Sequence, residues 1–336
     1  MTTFPNVEFH NCAAPEPWDL GPGWLLPRYP KAVRLGMERG RVLSGDSTGV
    51  EIRFVTEATN IRVYLTSPDQ DTEVQVFLGG FFHSSHKLAA GVHTAVLLTA
   101  VELFPRMDRA ILETGPFSPD VWRIVLNRGV NVLHGIETYG HALRPPAVNE
   151  KPRLKWLAYG SSITQSSWKG YPAQAAWRLG VDVLNKGLSG ACHIEDTTAR
   201  FLAREVEWDF ATVELGVNVR DKFSPEEFEA RSRYLLEELT STKPYRPVAV
   251  ITVFPNNVQH QLAQPVGGWV KEQAFNDALR RLAKEFAAQN VHLIEGSRIV
   301  RDFTYHTIDL LHPAEFGHVR MGEHLAEELR PIIEGL

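Results

Sequence analysis

Four short segments of this 336-residue sequence hold side chains whose types and spacing suit nucleophilic chemistry. The first is Tyr159-Gly160-Ser161-Ser162-Ile163-Thr164, directly after the apolar run 154–159. A glycine ahead of a hydroxyl, at a turn from strand to helix, exposes that hydroxyl at the top of a sheet. A serine N-cap uses the same residues, and taken alone the segment favours capping. The second is Asn185-Lys186-Gly187-Leu188-Ser189-Gly190-Ala191, in which Gly190 lets a ligand approach its backbone N–H with no Cβ in the way. Taken alone, the segment favours a plain turn. The third is Glu214-Leu215-Gly216-Val217-Asn218-Val219, where the Asn218 amide is a neutral donor at every pH. Neither glycine segment is a dinucleotide fingerprint, because G-x-G-x-x-G is absent. The fourth is Asp309-Leu310-Leu311-His312-Pro313. An aspartate three positions ahead of a histidine can accept from Nδ1–H, fix the tautomer and leave Nε2 as a base. The plainer alternative is an aspartate turn ahead of a helix, with the histidine incidental.

The elements around these segments change period once. Runs 154–159, 181–185, 210–215, 248–253 and 291–295 are short, continuous and apolar. Helical patterns separate them, among them 224–239, which opens on Ser-Pro-Glu-Glu, and a last one from about 315 to 333. Strands alternating with helices predict a parallel sheet covered on both faces. Ligands bind such sheets outside the carboxyl ends of the strands, where all four segments fall or lead into the last helix. Before residue 145 the pattern is different. VEIRFVTE, IRVYLTS, TEVQVFLGG, HTAVLLTA, WRIVLNR and VNVLHGIETYG are rich in β-branched and aromatic residues and punctuated by Gly, Asp, Asn and Pro. They predict an antiparallel sandwich of the jelly-roll kind. Residues 1–30, crowded with Pro and Trp, are expected to run irregularly over a surface. The proline-rich stretch 143–152 reads as the linker.

Taken together, the Ser, Gly, Asn and His segments follow the block order of the SGNH (GDSL) hydrolase superfamily, which residues 154–335 resemble. The nucleophile block of that family looks like Gly160-Ser161-Ser162-Ile163, which puts the nucleophile at Ser162 and not Ser161. Its second-block glycine matches Gly190, its G-x-N asparagine Asn218, and its D-x-x-H pair Asp309 and His312. The resemblance implies an α/β chain: a three-layer αβα, flavodoxin-like hydrolase domain over 152–336, preceded by an accessory β-sandwich over 1–146. It also implies Ser162, His312 and Asp309 as catalytic residues, and Ser162, Gly190 and Asn218 as oxyanion donors. This chain departs from the pattern in one place. Ser161 stands where the family usually has a loop-shaping aspartate, which implies altered turn geometry with the chemistry kept. "YGSSIT" with "ELGVNV" is similar to a subgroup with an N-terminal sandwich, which includes two-domain carbohydrate esterases and some acyltransferases.

Composition narrows the partners. Thirty-five Lys and Arg against 40 Asp and Glu give a net charge of −5, and no basic run appears, which argues against nucleic acid. The two cysteines, Cys12 and Cys192, form no C-x-x-C pair, which fits a reducing compartment. No signal-like start and no long apolar run is present, so a soluble, cytoplasmic protein with no membrane partner is expected. A homo-oligomer is compatible with the sequence. No metal and no cofactor is expected. His83 and His86 resemble a metal pair only weakly, and His318 and His324 lack H-E-x-x-H spacing. Trp168 and Tyr171 could stack on a sugar or simply pack, with packing favoured. Arg220 reads as a surface ion pair sooner than a substrate contact, and Asp302 is a distant rival of Asp309.

The resulting expectation is a cofactor-free serine esterase that removes short acyl groups, acetyl foremost, from an oligosaccharide or small-molecule ester. An acyltransferase using the same acyl-enzyme, and a carbohydrate binder with a vestigial hydrolase domain, are the alternatives. The block register yields a first prediction. Ser162→Ala abolishes p-nitrophenyl acetate turnover with the circular dichroism spectrum intact, whereas Ser161→Ala keeps much of it. A dead Ser161→Ala variant beside an active Ser162→Ala would shift the register by one.

Overall fold

The computed structural model describes residues 6–262 and 267–336. The chain divides into two compact units, Met1–Lys31 with Ser44–Arg153, and Ala32–Leu43 with Leu154–Leu336.

The first unit carries ten strands: β1 (Glu8–His10), β2 (Glu16–Pro17), β3 (Trp24–Leu25), β4 (Glu51–Phe54), β5 (Asn60–Thr66), β6 (Thr72–Leu78), β7 (Phe81–Leu88), β8 (Thr94–Thr99), β9 (Trp122–Leu126) and β10 (Val132–Glu137). They form two five-stranded sheets, ordered β1-β4-β9-β6-β7 and β2-β3-β10-β5-β8, with antiparallel pairing throughout. Alternation explains the core. Along β5, Ile61, Val63 and Leu65 are buried while Asn60 and Arg62 are exposed. The buried set packs with Ile52, Phe54, Val74, Val76, Val96, Leu98 and Ile124 from both sheets. Residues 6–30 run irregularly as expected except at three short strands, where β1 pairs with β4 and β3 with β2 and β10. Residues 1–5 lie outside the described residues. These strands are short because proline interrupts them, and Pro17 sits on the edge strand, where a missing N–H is tolerated. Two short helices, α1 (Lys31–Gly36) and α2 (Arg109–Leu112), complete this half of the sequence.

The second unit alternates strand and helix as the apolar runs predict. Its strands are β11 (Lys155–Tyr159), β12 (Asp182–Asn185), β13 (Phe210–Glu214), β14 (Val248–Ile251) and β15 (Val291–Ile294). Its helices are α3 (Tyr171–Leu179), α4 (Asp196–Arg204), α5 (Pro225–Thr242), α6 (Gly267–Glu285), α7 (Gly296–Ile299) and α8 (Glu315–Ile333). All five strands are parallel, in the order β12-β11-β13-β14-β15. That is the flavodoxin-like order, which reverses direction of winding between β11 and β13 and opens a crevice at their carboxyl ends. Trp156 and Ala158 of β11, Phe210 of β13 and Ile251 of β14 pack against Tyr171 and Ala175 of α3 and Met321 and Leu325 of α8. On α5 and α6, Phe228 and Phe275 stack with ring centres 4.1 Å apart. The Ser224 hydroxyl caps α5 by accepting from the Glu227 N–H at 3.2 Å, with Pro225 beginning the helix. Residues Ala32–Leu43 belong to this unit, and the Glu195 carboxylate accepts from the N–H groups of Glu38 (2.7 Å), Arg39 (3.0 Å) and Gly40 (3.4 Å). Among the described residues, no helix is long and apolar enough to cross a membrane.

Packing and capping should separate cleanly in stability. Phe275→Ala is expected to destabilise the second unit by ~3–5 kcal/mol, the range for removing a buried aromatic ring. Ser224→Ala should cost about 1 kcal/mol. Denaturant midpoints at unchanged m-value measure both, and equal losses would contradict this assignment of the core.

Candidate active site

The Ser162 segment leaves the carboxyl end of β11, which lies between β12 and β13 in the sheet. The Gln165 N–H donates to the Ser161 carbonyl at 2.9 Å, closing a single helical turn around Ser162. The helix itself starts only at Tyr171, with Gly170 as its N-cap. Ser162 is therefore not an N-cap, which corrects the strand-to-helix turn expected there. Pro172 in the first turn of α3 explains the later start, since a helix begun at Ser162 would carry that proline in its interior.

Ser162 Oγ lies 2.8 Å from His312 Nε2, and His312 Nδ1 lies 2.6 Å from Asp309 Oδ2. The hydroxyl that reaches the imidazole is thus that of Ser162. Ser161 is buried and turns the other way, donating to Glu214 Oε2 at 2.7 Å. Asp309 also builds its own turn. Its Oδ1 accepts from the N–H groups of Leu311 and His312, each at 2.9 Å, and from the Thr307 hydroxyl at 2.8 Å. The two readings of D-x-x-H, turn former and imidazole partner, both hold, one per oxygen. Partial burial would raise the Asp309 carboxyl, but bonds from the His312 ring and N–H, the Leu311 N–H and Thr307 outweigh it and hold it well below the usual range. Both side chains are nearly half exposed, 44% for His312 and 48% for Asp309, so water reaches them.

The loop that carries them is gripped from a second element. Asn257, after β14, donates from its N–H to the Leu310 carbonyl (2.8 Å) and from its amide to the Asp309 carbonyl (2.9 Å). Leu310 between them sits at φ +55°, a left-handed conformation unusual for leucine. Sequence reasoning missed Asn257, although a Pro-Asn-Asn just beyond a strand was the available signal.

The second and third segments follow β12 and β13, the neighbours of β11 on either side. Gly190 has φ +65° and open space where a Cβ would stand. Among the described residues, nothing accepts from the N–H groups of Ser162 or Gly190. Asn218 Oδ1 accepts from the Cys192 N–H at 3.2 Å, which fixes the amide's orientation and leaves its NH2 to donate elsewhere.

A further group was missed although its residue opens the third quoted segment. Glu214, at the end of β13, is 1% exposed, and its Oε2 also accepts from the Ser161 N–H (2.8 Å) and Thr164 Oγ1 (3.1 Å). Burial pushes its carboxyl up to about 7 against those bonds. A Cβ on Gly160 would crowd Thr164 Oγ1 and fall 2.7 Å from Oε2, so any larger residue ahead of the serines would displace that carboxylate from the turn.

The remaining candidates have other partners. Tyr171 is fully buried with its hydroxyl 2.8 Å from Thr164 Oγ1, so it packs and cannot stack on a ligand. Trp168 is partly buried and accepts at its carbonyl from Gln174. Arg220 forms the expected ion pair with an exposed group, Asp221 at 3.9 Å, and a closer one at 2.7 Å with Glu272, a fully buried carboxylate. Asp302 accepts from the Thr304 N–H and hydroxyl, both at 2.8 Å. His318 Nδ1 accepts from the Tyr171 N–H, and burial with the nearby His312 holds its imidazole down near 4. His324 bonds the Ile299 carbonyl. On β7, His83 and His86 both bond Ser84, and His83 also bonds the Thr99 carbonyl. Among the described residues, no group of three or more His, Cys, Asp or Glu could hold a metal ion.

Residues 158–320 match the profile of the GDSL-like lipase/acylhydrolase family. No curated protein matches the sequence. Among solved structures, the salicylyl-acyltransferase SsfX3 of a tetracycline biosynthetic pathway aligns with TM-score 0.80 at 16% identity, covering 98% of this chain and 96% of that one. A family two carbohydrate esterase of Clostridium thermocellum, an active-site mutant, aligns with TM-score 0.64 at 14% identity over 99% and 100% of the two chains. An acetyl xylan esterase of the rumen bacterium Butyrivibrio proteoclasticus gives 0.58 at 12% over 84% and 90%. These likenesses establish the fold: a parallel αβα domain of the SGNH type preceded by antiparallel sheets.

The geometry separates the roles of the two loop residues. His312→Ala should be close to inactive on p-nitrophenyl acetate, since no neighbour replaces a base at Ser162. Asp309→Asn should keep measurable turnover, about 10²- to 10⁴-fold down, because its loop bonds can partly persist. Complete loss in both variants would show that the aspartate cannot be replaced.

Proposed function

We propose that this chain, whose C-terminal domain matches the GDSL-like lipase/acylhydrolase family, is a serine esterase that removes short acyl groups, acetyl foremost, from a carbohydrate or small-molecule ester. The observation that carries the reading is the Ser162–His312–Asp309 relay, 2.8 and 2.6 Å, at the reversal point of a doubly wound sheet. In this reading Ser162 Oγ attacks the ester carbonyl carbon while His312 Nε2 takes its proton. Asp309 stabilises the imidazolium. The oxyanion of the tetrahedral intermediate accepts from the N–H groups of Ser162 and Gly190 and from the Asn218 amide. Each such preorganised donor is worth about 2.7–4 kcal/mol in comparable acyl-transfer sites. His312 then returns the proton to the leaving alcohol, and water enters by the same route to release the acyl group. Every step uses side chains and backbone of this chain.

The acetyl and carbohydrate preferences rest on neighbours described as a family two carbohydrate esterase and an acetyl xylan esterase. A second reading, transfer of the acyl group to an alcohol acceptor, is favoured by the 0.80 alignment with an acyltransferase over 98% of the chain. The two differ only in what attacks the acyl-enzyme.

The test is turnover of p-nitrophenyl esters from acetyl to hexanoyl, with acetylated xylo- and cello-oligosaccharides in parallel. Acetyl is expected to give the highest kcat/KM. Added methanol or glycerol then partitions the acyl group, and a product that stays mostly the free acid supports hydrolysis. Ester as the main product would favour transfer, and absence of any acyl release would overturn both readings.

A further inference from the structure

We propose that Glu214 is the positioning residue of the nucleophile turn, its ionised carboxylate holding Ser162 in the reactive geometry from the neighbouring strand. This rests on the reading of Ser162 as nucleophile. The carboxylate grips the turn on both sides of that serine. Oε2 accepts from the N–H and the hydroxyl of Ser161 and from the hydroxyl of Thr164. Ser161 Oγ in turn accepts from the Ile163 N–H at 3.2 Å, so the backbone before and after Ser162 is tied to one oxygen. Thr164 extends the tie to the Tyr171 hydroxyl on α3. Gly160 brings the main chain so close that the carboxylate occupies the space of a missing Cβ.

The arrangement also explains Ser161. An aspartate there, as in the pattern this chain resembles, would press a second carboxylate onto Oε2. A hydroxyl instead donates to it. The groups facing Glu214 are Ser161 and Thr164 from the turn, Tyr171 from α3 and the Cys192 thiol beyond β12, the last two both pushed up by burial first and then by the nearby carboxylate. Among the described residues no Lys, Arg or His pairs with Glu214, and its Oε1 has no hydrogen-bond partner. A buried carboxylate without a counter-ion destabilises a fold. A glutamine could accept the same bonds without that penalty, so the charge strengthens the grip at the expense of stability.

The sign of the pH effect follows. Burial holds the carboxyl near 7, against about 4.3 for an unfolded glutamate. The folded chain binds the extra proton between those values, so Glu214 lowers stability progressively as pH rises through them.

The experiment compares the parent, Glu214→Gln, Ser161→Asp and the Ser161→Asp/Glu214→Gln double variant on p-nitrophenyl acetate from pH 5.5 to 8.5, with Tm at each pH and Ser162→Ala alongside. Glu214→Gln is expected to lower kcat about tenfold at pH 8 with KM within twofold, and the gap should narrow towards pH 5.5, where the parent's carboxyl is protonated. Its Tm should exceed the parent's by more at pH 8 than at pH 5.5. Ser161→Asp alone should fall at least a hundredfold, and the double variant should regain at least tenfold over it by restoring one carboxylate per pair. Parent-like kcat in Glu214→Gln at pH 8, or a double variant no better than Ser161→Asp, overturns the proposal while a dead Ser162→Ala leaves the nucleophile reading standing. An active Ser162→Ala would bring down both.

Discussion

The candidate site depends on one hydrogen bond between side chains 150 residues apart, from Ser162 Oγ to His312 Nε2. Neither partner can seek the other, because each is fastened to a different rigid element. Ser162 rides on the turn that ends β11, the strand with neighbours on both sides at the reversal point of the sheet. His312 rides on the loop ahead of α8, whose core side packs on α3 and on the same strand. The tight packing of Trp156, Ala158, Met321 and Leu325 thus sets a distance in a polar site they never touch. Local anchors trim what remains: Glu214 beneath the serine turn, and Asn257 and Asp309 around the histidine loop.

Legibility followed sequence distance. The five strands of the parallel sheet and the last helix were readable because continuous apolar runs and helical spacing are local signals. D-x-x-H was readable because its hydrogen bond spans three residues. The grip of Glu214 on Ser161 crosses from β13 to β11, and nothing in "ELGVNV" points to the strand beside it. The seat of Asn257 under Leu310 is equally non-local. The three short strands within residues 6–30 were missed for another reason: two or three residues suffice to extend an existing sheet edge, and so short a strand leaves no period to detect.

The Asp309 turn shows why rival readings of one motif need not exclude each other. One carboxylate oxygen holds the loop closed through backbone N–H groups, and the other faces the imidazole. A residue that shapes the loop also aims the ring, so the left-handed Leu310 is held by bonds at either side instead of relaxing.

The short excursion Ala32–Leu43 bears on how the chain is made. The Glu195 carboxylate that receives the N–H of Glu38 is 157 residues further along, so those donors wait until the whole of the first unit and the start of the second have been synthesised. Until then the N–H groups of Glu38, Arg39 and Gly40 lack the carboxylate they bond in the folded chain. A fragment beginning after the 143–152 linker would carry Glu195 with none of these three donors. The αβα unit is thus not a contiguous stretch of sequence, and nascent chains complete it by reaching back to residues made early in translation.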